Sequence, residues 1–322
     1  MDQLYNKIPV LDLDDFNSGN VQKRIKFVQD LGSAYSDIGF VAVKNHGLSS
    51  ELCDNLYEVV ESFFRQPDEI KQKYEIEGLF GQRGYTGKGK EHAKGRTTGD
   101  LKEFYHVGQN VAADDELASD YPANVWPEEL AEFQEYTNQA YLTLENAGKT
   151  MLKAIAIYLG LEENYFDAKV DKGNSILRPI HYFPIENPED VPEDAVRAAE
   201  HGDINLITLL MGASAEGLQV LRRDGKWIPI TALPDQIVVN VGDMLERLTN
   251  KKLKSTIHRV VNPPKEKMKY SRFSIPFFMH PRSDMDLSCL ESCVDDENPK
   301  LFENMNAGEF LNERLIELGL KK

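Results

Sequence analysis

The 322 residues are enough to bury a large core as one domain or two, and 41% hydrophobic with 28% charged residues is the balance of a folded globular chain rather than a disordered one. A formal net charge of -16 repels phosphate backbones and anionic lipid, so no nucleic-acid partner and no membrane surface is expected. The start MDQLYNKIPVLDLDDF has neither the basic flank nor the apolar run of a signal peptide, and no long apolar span follows, which points to an intracellular, cytoplasmic protein.

The first half reads as helices with short strands. Val21, Ile25, Val28 and Leu31 recur at helical spacing as a core-facing stripe, and Leu52, Leu56, Val59 and Phe63 repeat the pattern in a helix that Ser49 or Ser50 would cap. Between them GFVAVKNHGL is a short strand closed by the turn residues Asn45 to Gly47. A long helix follows Pro127, with Leu130, Phe133, Tyr141, Leu144, Met151, Ile155 and Tyr158 on one face, and Gly160 stops it.

From about Ile176 the chain turns to short β-rich runs separated by turn residues: ILRPIHYF, INLITLLM, LQVL, KWIPI, IVVNV, TIHRVV and SRFSIPFFM. Asp224-Gly225 marks a hairpin between two of them, and AGEFLNERLIELGL suggests a last helix. With no internal repeat, the architecture this supports is mainly β with flanking α, a β-barrel core wrapped by N-terminal helices.

Two features invite functional readings. Cys53, Cys289 and Cys293 are too few and scattered for a disulfide framework, and they fit a reducing compartment as incidental thiols. Residues 83–102 are Gly-rich and carry Arg83, Lys88, Lys90, Lys94, Arg96 and Lys102; this basic loop either draws an anionic substrate toward a pocket or is a solvated surface loop.

The chemistry lies in His201-Gly202-Asp203 on one strand and His258, about 55 residues on, in another. Residues i and i+2 of a strand face one side, so His201 and Asp203 would look inward together, with Gly202 leaving room. Two imidazoles and a carboxylate can cap one face of an octahedron and leave the other open, as in non-haem iron(II) sites. An H-x-D alone is more often a hydrogen-bonded pair. Its weight rises with Arg272 and Ser274, which share a strand face shortly afterwards: an inward guanidinium needs an anion, and a small dicarboxylate would supply one.

The blocks IPVLDL, GFVAVKNHGL, FFRQPDEIKQKY, RGYTGKGKE, DLKEFYHVG, LRPIHYFP, HGDINLITLL, GLQVL, VVNVGDMLERLTN, KSTIHRVV, RFSIPFF and AGEFLNERL run in the order seen in isopenicillin N synthase-like enzymes. The chain thus resembles that branch of the 2-oxoglutarate and iron(II)-dependent oxygenases over nearly its full length. The resemblance implies a double-stranded β-helix, or jelly roll, within one oxygenase domain spanning 1–322. It divides into a helix-rich part at 1–160, a catalytic core at 175–282 and a C-terminal helix at 305–322. His201, Asp203 and His258 match the iron ligands, and Arg272 and Ser274 match the pair that grips the distal carboxylate of 2-oxoglutarate. Tyr182 matches a cosubstrate tyrosine, or Phe183 does if the alignment slips by one. His181 is either a polar pocket residue or a packed strand histidine, and Asn45, His46 and Gly47 fall in a structural block.

The activity implied is oxidation of a small organic substrate by O2, through hydroxylation, desaturation or cyclisation, as 2-oxoglutarate becomes succinate and CO2. Fe(II), 2-oxoglutarate and O2 are the cofactors and cosubstrates implied. The substrate is an acid or amino acid if the basic segment bears on it, and a monomer is expected. Three alternatives differ in kind: an iron oxidase of the same fold without 2-oxoglutarate, a non-catalytic binding module, and a zinc hydrolase, in which Arg272 and Ser274 would have no task.

Overall fold

Side-chain caps open the N-terminal elements. In the computed structural model, which describes residues 5–79, 81–90, 102–185, 187, 197–212 and 217–317, strand β1 (Val10–Asp12) leads into helix α1 (Leu13–Asn17), where Asp12 accepts from the N–H of Asp14. Asn20 accepts from Gln22 and Lys23 to open α2 (Val21–Asp37). After β2 (Phe40–Lys44), Asn45 and Gly47 turn the chain with φ 56° and 92°, and Ser49 caps α3 (Ser50–Phe64) through Leu52. Helix α4 (Asp68–Lys71), β3 (Gly84–Thr86) and β4 (Lys102–Gly108) precede the 28-residue α5 (Ala131–Tyr158), and Gly160 follows it at φ 74°.

One stripe is displaced from its sequence reading. The inward face of α2 is Phe27, Val28, Leu31, Ala34 and Tyr35, whereas Val21 and Ile25 are 65% and 46% exposed. The ring of Phe16 on α1 meets Phe27 at 5.6 Å, which turns the helix so that Val21 and Ile25 lie on its solvent flank.

Beyond α6 (Asp167–Val170) come β5 (Ile176–Leu177), β6 (Ile180–Tyr182), β7 (Ala198–His201), β8 (Ile207–Met211), β9 (Leu218–Leu221), β10 (Trp227–Pro229) and β11 (Ile237–Val241). Helix α7 (Asp243–Leu248), β12 (His258–Val260), α8 (Lys265–Met268), β13 (Arg272–Ser274), β14 (Pro276–Met279) and α9 (Ala307–Glu317) complete the order. Prolines split two runs that read as single strands, since a ring nitrogen cannot donate to the ladder: Pro179 parts β5 from β6, and Pro276 opens β14 after β13. The hairpin joining β9 to β10 turns at Gly225, φ 82°, where Arg222 N–H donates to the Lys226 carbonyl.

Among the described residues the strands form a larger sheet, ordered β1-β2-β11-β8-β14-β5-β4-β6-β13 with β3 beside β4, and a smaller one, β10-β9-β12-β7. Period two sorts the larger sheet's side chains. Val41, Val239, Leu209, Phe277 and Met279 join the core beneath α2, α3 and α5, and Gly148 of α5 leaves room for the Met279 sulfur. Phe40, Ala42 and Val238 instead pack against Leu218, Val220, Ile228 and Val260 of the smaller sheet. The result is a jelly-roll core braced by helices on one face. Among the described residues no helix is long and apolar enough to cross a membrane.

Candidate active site

His201 and His258 are cross-strand partners. They pair in the register of antiparallel β7 and β12, and their ring centroids lie 4.4 Å apart. Asp203 reaches them differently from the sequence expectation of one shared strand face. Strand β7 ends at His201, and Asp203 sits in the turn that follows, its carbonyl accepting from Asp243 N–H at 2.7 Å. The turn is tight because α7 starts against it: a Cβ on Gly202 would lie 3.0 Å from Asp243 Oδ1 and 3.1 Å from Ser255 Oγ. The three ligand-capable atoms nevertheless lie within 4.8 Å of one another.

Hydrogen bonds aim those atoms. His201 Nδ1 donates to the Ala199 carbonyl at 2.7 Å and His258 Nδ1 to the Thr256 carbonyl at 3.2 Å, so each Nε2 keeps its lone pair. Both Nε2 atoms face Asp203 Oδ1, at 3.9 and 3.7 Å. Oδ2 is engaged instead by Thr208 Oγ1 at 2.6 Å and Asn240 Nδ2 at 2.8 Å. Two imidazoles and a carboxylate, each oriented through its other polar atom, form a donor set suited to a divalent first-row metal.

Burial raises the Asp203 carboxyl, but His258 and His201 with the hydrogen bonds from Asn240 and Thr208 more than offset it, leaving it below its ordinary value. For His201, burial comes first and the neighbouring His258 second in holding the imidazole down to about 4. Yet 47% of this side chain reaches solvent at the mouth of the site, where water screens part of the effect. The direction survives that screening, and the ring is neutral at neutral pH.

A second row of side chains crosses β4, β6 and β13. Lys102 pairs with Tyr182 and Tyr182 with Arg272, and the Arg272 guanidinium carbon stands 4.9 Å from the Tyr182 ring centroid. Ser274, buried, lies two residues on and shares that face with Ile180 and Phe104. Lys102 is near enough to His201 to help keep that imidazole neutral, which ties the row to the triad. Tyr182, not Phe183, stands opposite Arg272; the Phe183 ring packs 4.9 Å from His181.

Other side chains here escaped the sequence reading. The Arg178 guanidinium carbon lies 4.5 Å from the Phe104 ring and 5.2 Å from Phe278, and its Nε donates to His106 Nε2 at 2.5 Å. Phe278 pairs with Thr208, the residue that holds Asp203. His280, two residues beyond Phe278, is buried with no partner for Nδ1 among the described residues, and burial holds its imidazole down to about 4. Strand parity was the available signal: Arg178 shares a phase with Ile180 and Tyr182, and His280 with Ser274, Pro276 and Phe278.

The basic segment is not one loop. Arg83 is 1% exposed and donates to Gln109 Oε1 and the Gln82 carbonyl, each at 2.7 Å. Lys90 pairs with Glu75 at 2.9 Å, Lys88 stands over the Phe183 ring, and Lys102 belongs to β4, while Lys94 and Arg96 lie outside the described residues. A separate cleft of about 700 Å³ between Asn45–Cys53 and Pro234–Ile237 does not touch the triad. Its His46 accepts from Leu48 N–H and donates to the Asp235 carbonyl, a structural task.

Residues 8–129 match the family described as non-haem dioxygenase in morphine synthesis N-terminal, and residues 173–281 match the 2OG-Fe(II) oxygenase superfamily. The chain is 32% identical to proline hydroxylase buaE of Petromyces alliaceus, covering 95% of this chain and 98% of that one. Its fold is similar to that of a Caulobacter crescentus protein assigned to the 2OG-Fe(II) oxygenase family, with TM-score 0.85, 42% identity and coverage of 96% and 98%. It is also similar to a full-length Neurospora crassa protein in complex with alpha-KG, with TM-score 0.85, 30% identity and coverage of 96% and 95%; that protein has also been crystallised with alpha-KG and thymine.

Proposed function

Because this chain belongs to the 2-oxoglutarate and iron(II)-dependent oxygenase superfamily, we propose that His201, Asp203 and His258 hold its iron and that Arg272, Ser274 and Tyr182 hold its 2-oxoglutarate. The enzyme is a dioxygenase that oxidises a small organic molecule with O2. When bound, Fe(II) and 2-oxoglutarate with O2 supply the oxidant for a substrate C–H bond, and succinate and CO2 are the co-products. The observation that carries the assignment is the convergence of three ligand-capable atoms within 4.8 Å while the outer polar atoms of the same side chains are already engaged.

The protein's part is orientation. Asp203 brings one negative charge to the metal, and Thr208 and Asn240 stop the carboxylate from rotating. Arg272, backed by the Tyr182 ring, offers a planar fork to the distal carboxylate, and Ser274 adds a hydroxyl two residues along the strand. Arg178, its guanidinium against the Phe104 and Phe278 rings and in phase with Tyr182, favours an acid or an amino acid as substrate. Residues 1–322 act as one oxygenase domain in this reading: the three ligand-capable residues come from one chain, so the site needs no second copy, and free cysteines fit a reducing cytoplasm.

The test is succinate formation by purified protein given Fe(II), 2-oxoglutarate and O2, across a panel of small carboxylic acids and amino acids. Substrate-stimulated succinate release that disappears in His258→Ala supports the reading. Substrate oxidation without 2-oxoglutarate consumption would favour the iron oxidase alternative.

A further inference from the structure

We infer that Glu103 is a positioning residue for the 2-oxoglutarate site, a buried carboxylate that acts from the back of the sheet to fix the strand segment presenting Arg272. The inference rests on the assignment of Arg272 to the cosubstrate. Glu103 is 1% exposed and accepts from Lys71 Nζ at 2.8 Å, Tyr85 OH at 2.5 Å and His181 Nδ1 at 2.7 Å. Its donors come from α4, β3 and β6, so one carboxylate ties the N-terminal elements to the strand bearing Tyr182.

The network ends on both sides of Arg272. With Nδ1 donating to Glu103, His181 Nε2 accepts from Ser271 Oγ at 2.9 Å. The same imidazole stacks on Phe273, with centroids 4.9 Å apart and an interplanar angle of 16°. Ser271 and Phe273 flank Arg272 in sequence, so both of its neighbours are anchored to a ring that Glu103 orients. Register states the same relation: Glu103, His181 and Phe273 form one transverse row, and Lys102, Tyr182 and Arg272 form the next, facing the other way.

The position needs such support. Strand β13 has three residues, and among the described residues it ends its sheet and pairs on one side only, with β6. A short edge strand is weakly specified by its ladder, and a satisfied buried network supplies geometry that an apolar contact would leave loose. By register His181 and Glu103 point to the face opposite Tyr182 and Arg272, which separates this role from contact with the cosubstrate.

Calorimetric titration of 2-oxoglutarate into anaerobic Fe(II)-loaded protein tests the inference, with Fe(II) affinity measured separately. Glu103→Gln should weaken 2-oxoglutarate binding about tenfold and Ser271→Ala about threefold, with Fe(II) affinity held within about twofold. The Glu103→Gln effect should vanish in an Arg272→Ala background, because it acts through that guanidinium. If Glu103→Gln does not fold, Ser271→Ala, an exposed change, decides alone. Unchanged 2-oxoglutarate affinity in the folded variants, or an undiminished Glu103→Gln effect without Arg272, overturns the positioning role. If Arg272→Ala itself leaves the affinity unchanged, the cosubstrate assignment falls and this inference with it. Weakening by Arg272→Ala alone overturns only the inference.

Discussion

His201 and His258 face each other across the β7–β12 ladder, and both turn Nε2 toward one oxygen of Asp203. The two imidazoles are thus set by backbone pairing, while the carboxylate is set by a turn and by Thr208 and Asn240. Different kinds of support imply different sensitivities to substitution.

Removing His201 or Asp203 should cost metal and turnover but not the fold, because His201 is exposed and Asp203 lies beyond the end of β7. His201→Ala and Asp203→Ala should each abolish Fe(II)-dependent turnover with an unchanged circular dichroism spectrum. Full activity in either folded variant would refute its role as a ligand.

Loosening the carboxylate should act more gently. Thr208→Val keeps the shape of the side chain and deletes the 2.6 Å bond to Asp203 Oδ2, and Asn240→Ala deletes the 2.8 Å bond. Each should lower Fe(II) affinity by about 10- to 100-fold, the usual effect of losing a group that orients a metal ligand. Equilibrium metal titration against a competing chelator measures it.

Arg272→Ala should act on the cosubstrate and spare the metal. Loss of a charge-assisted contact worth about 2 to 3 kcal/mol raises the apparent 2-oxoglutarate Kd by about 30- to 150-fold. Steady-state KM for 2-oxoglutarate and direct binding should move together. An unchanged value would assign the guanidinium another task.

His280 makes metal-free stability depend on pH. Its imidazole is held to about 4 in the fold against 6.5 when exposed, so the unfolded chain binds the extra proton between those values. Stability from this group is therefore complete above about pH 6.5 and is lost as pH falls toward 4, by up to about 3 kcal/mol. Urea melts with a chelator present, at pH 7.5 and 4.5, should show a smaller acid loss in His280→Gln than in the parent. An equal loss in both would mean that His280 does not titrate this way.

Much of the site was legible because strands repeat every two residues. That period puts Arg272 and Ser274 on one strand face with Tyr182 opposite Arg272, whereas His201 and His258 meet by pairing across a ladder. What could not be read was set by distant partners. Asp203 leaves the strand because α7 starts against its turn, and Arg83 is buried although its neighbours in sequence are basic and Gly-rich. Nothing in its sequence context marked Glu103, because the partners that define it, Lys71, Tyr85 and His181, converge on it from three elements.

The most direct test is optical. Fe(II) is added anaerobically to the metal-free protein, followed by 2-oxoglutarate, and the visible spectrum is recorded. A weak charge-transfer band should appear with the parent protein and be absent from Asp203→Ala. No band in the folded parent, or the same band in Asp203→Ala, would contradict an iron centre built on His201, Asp203 and His258.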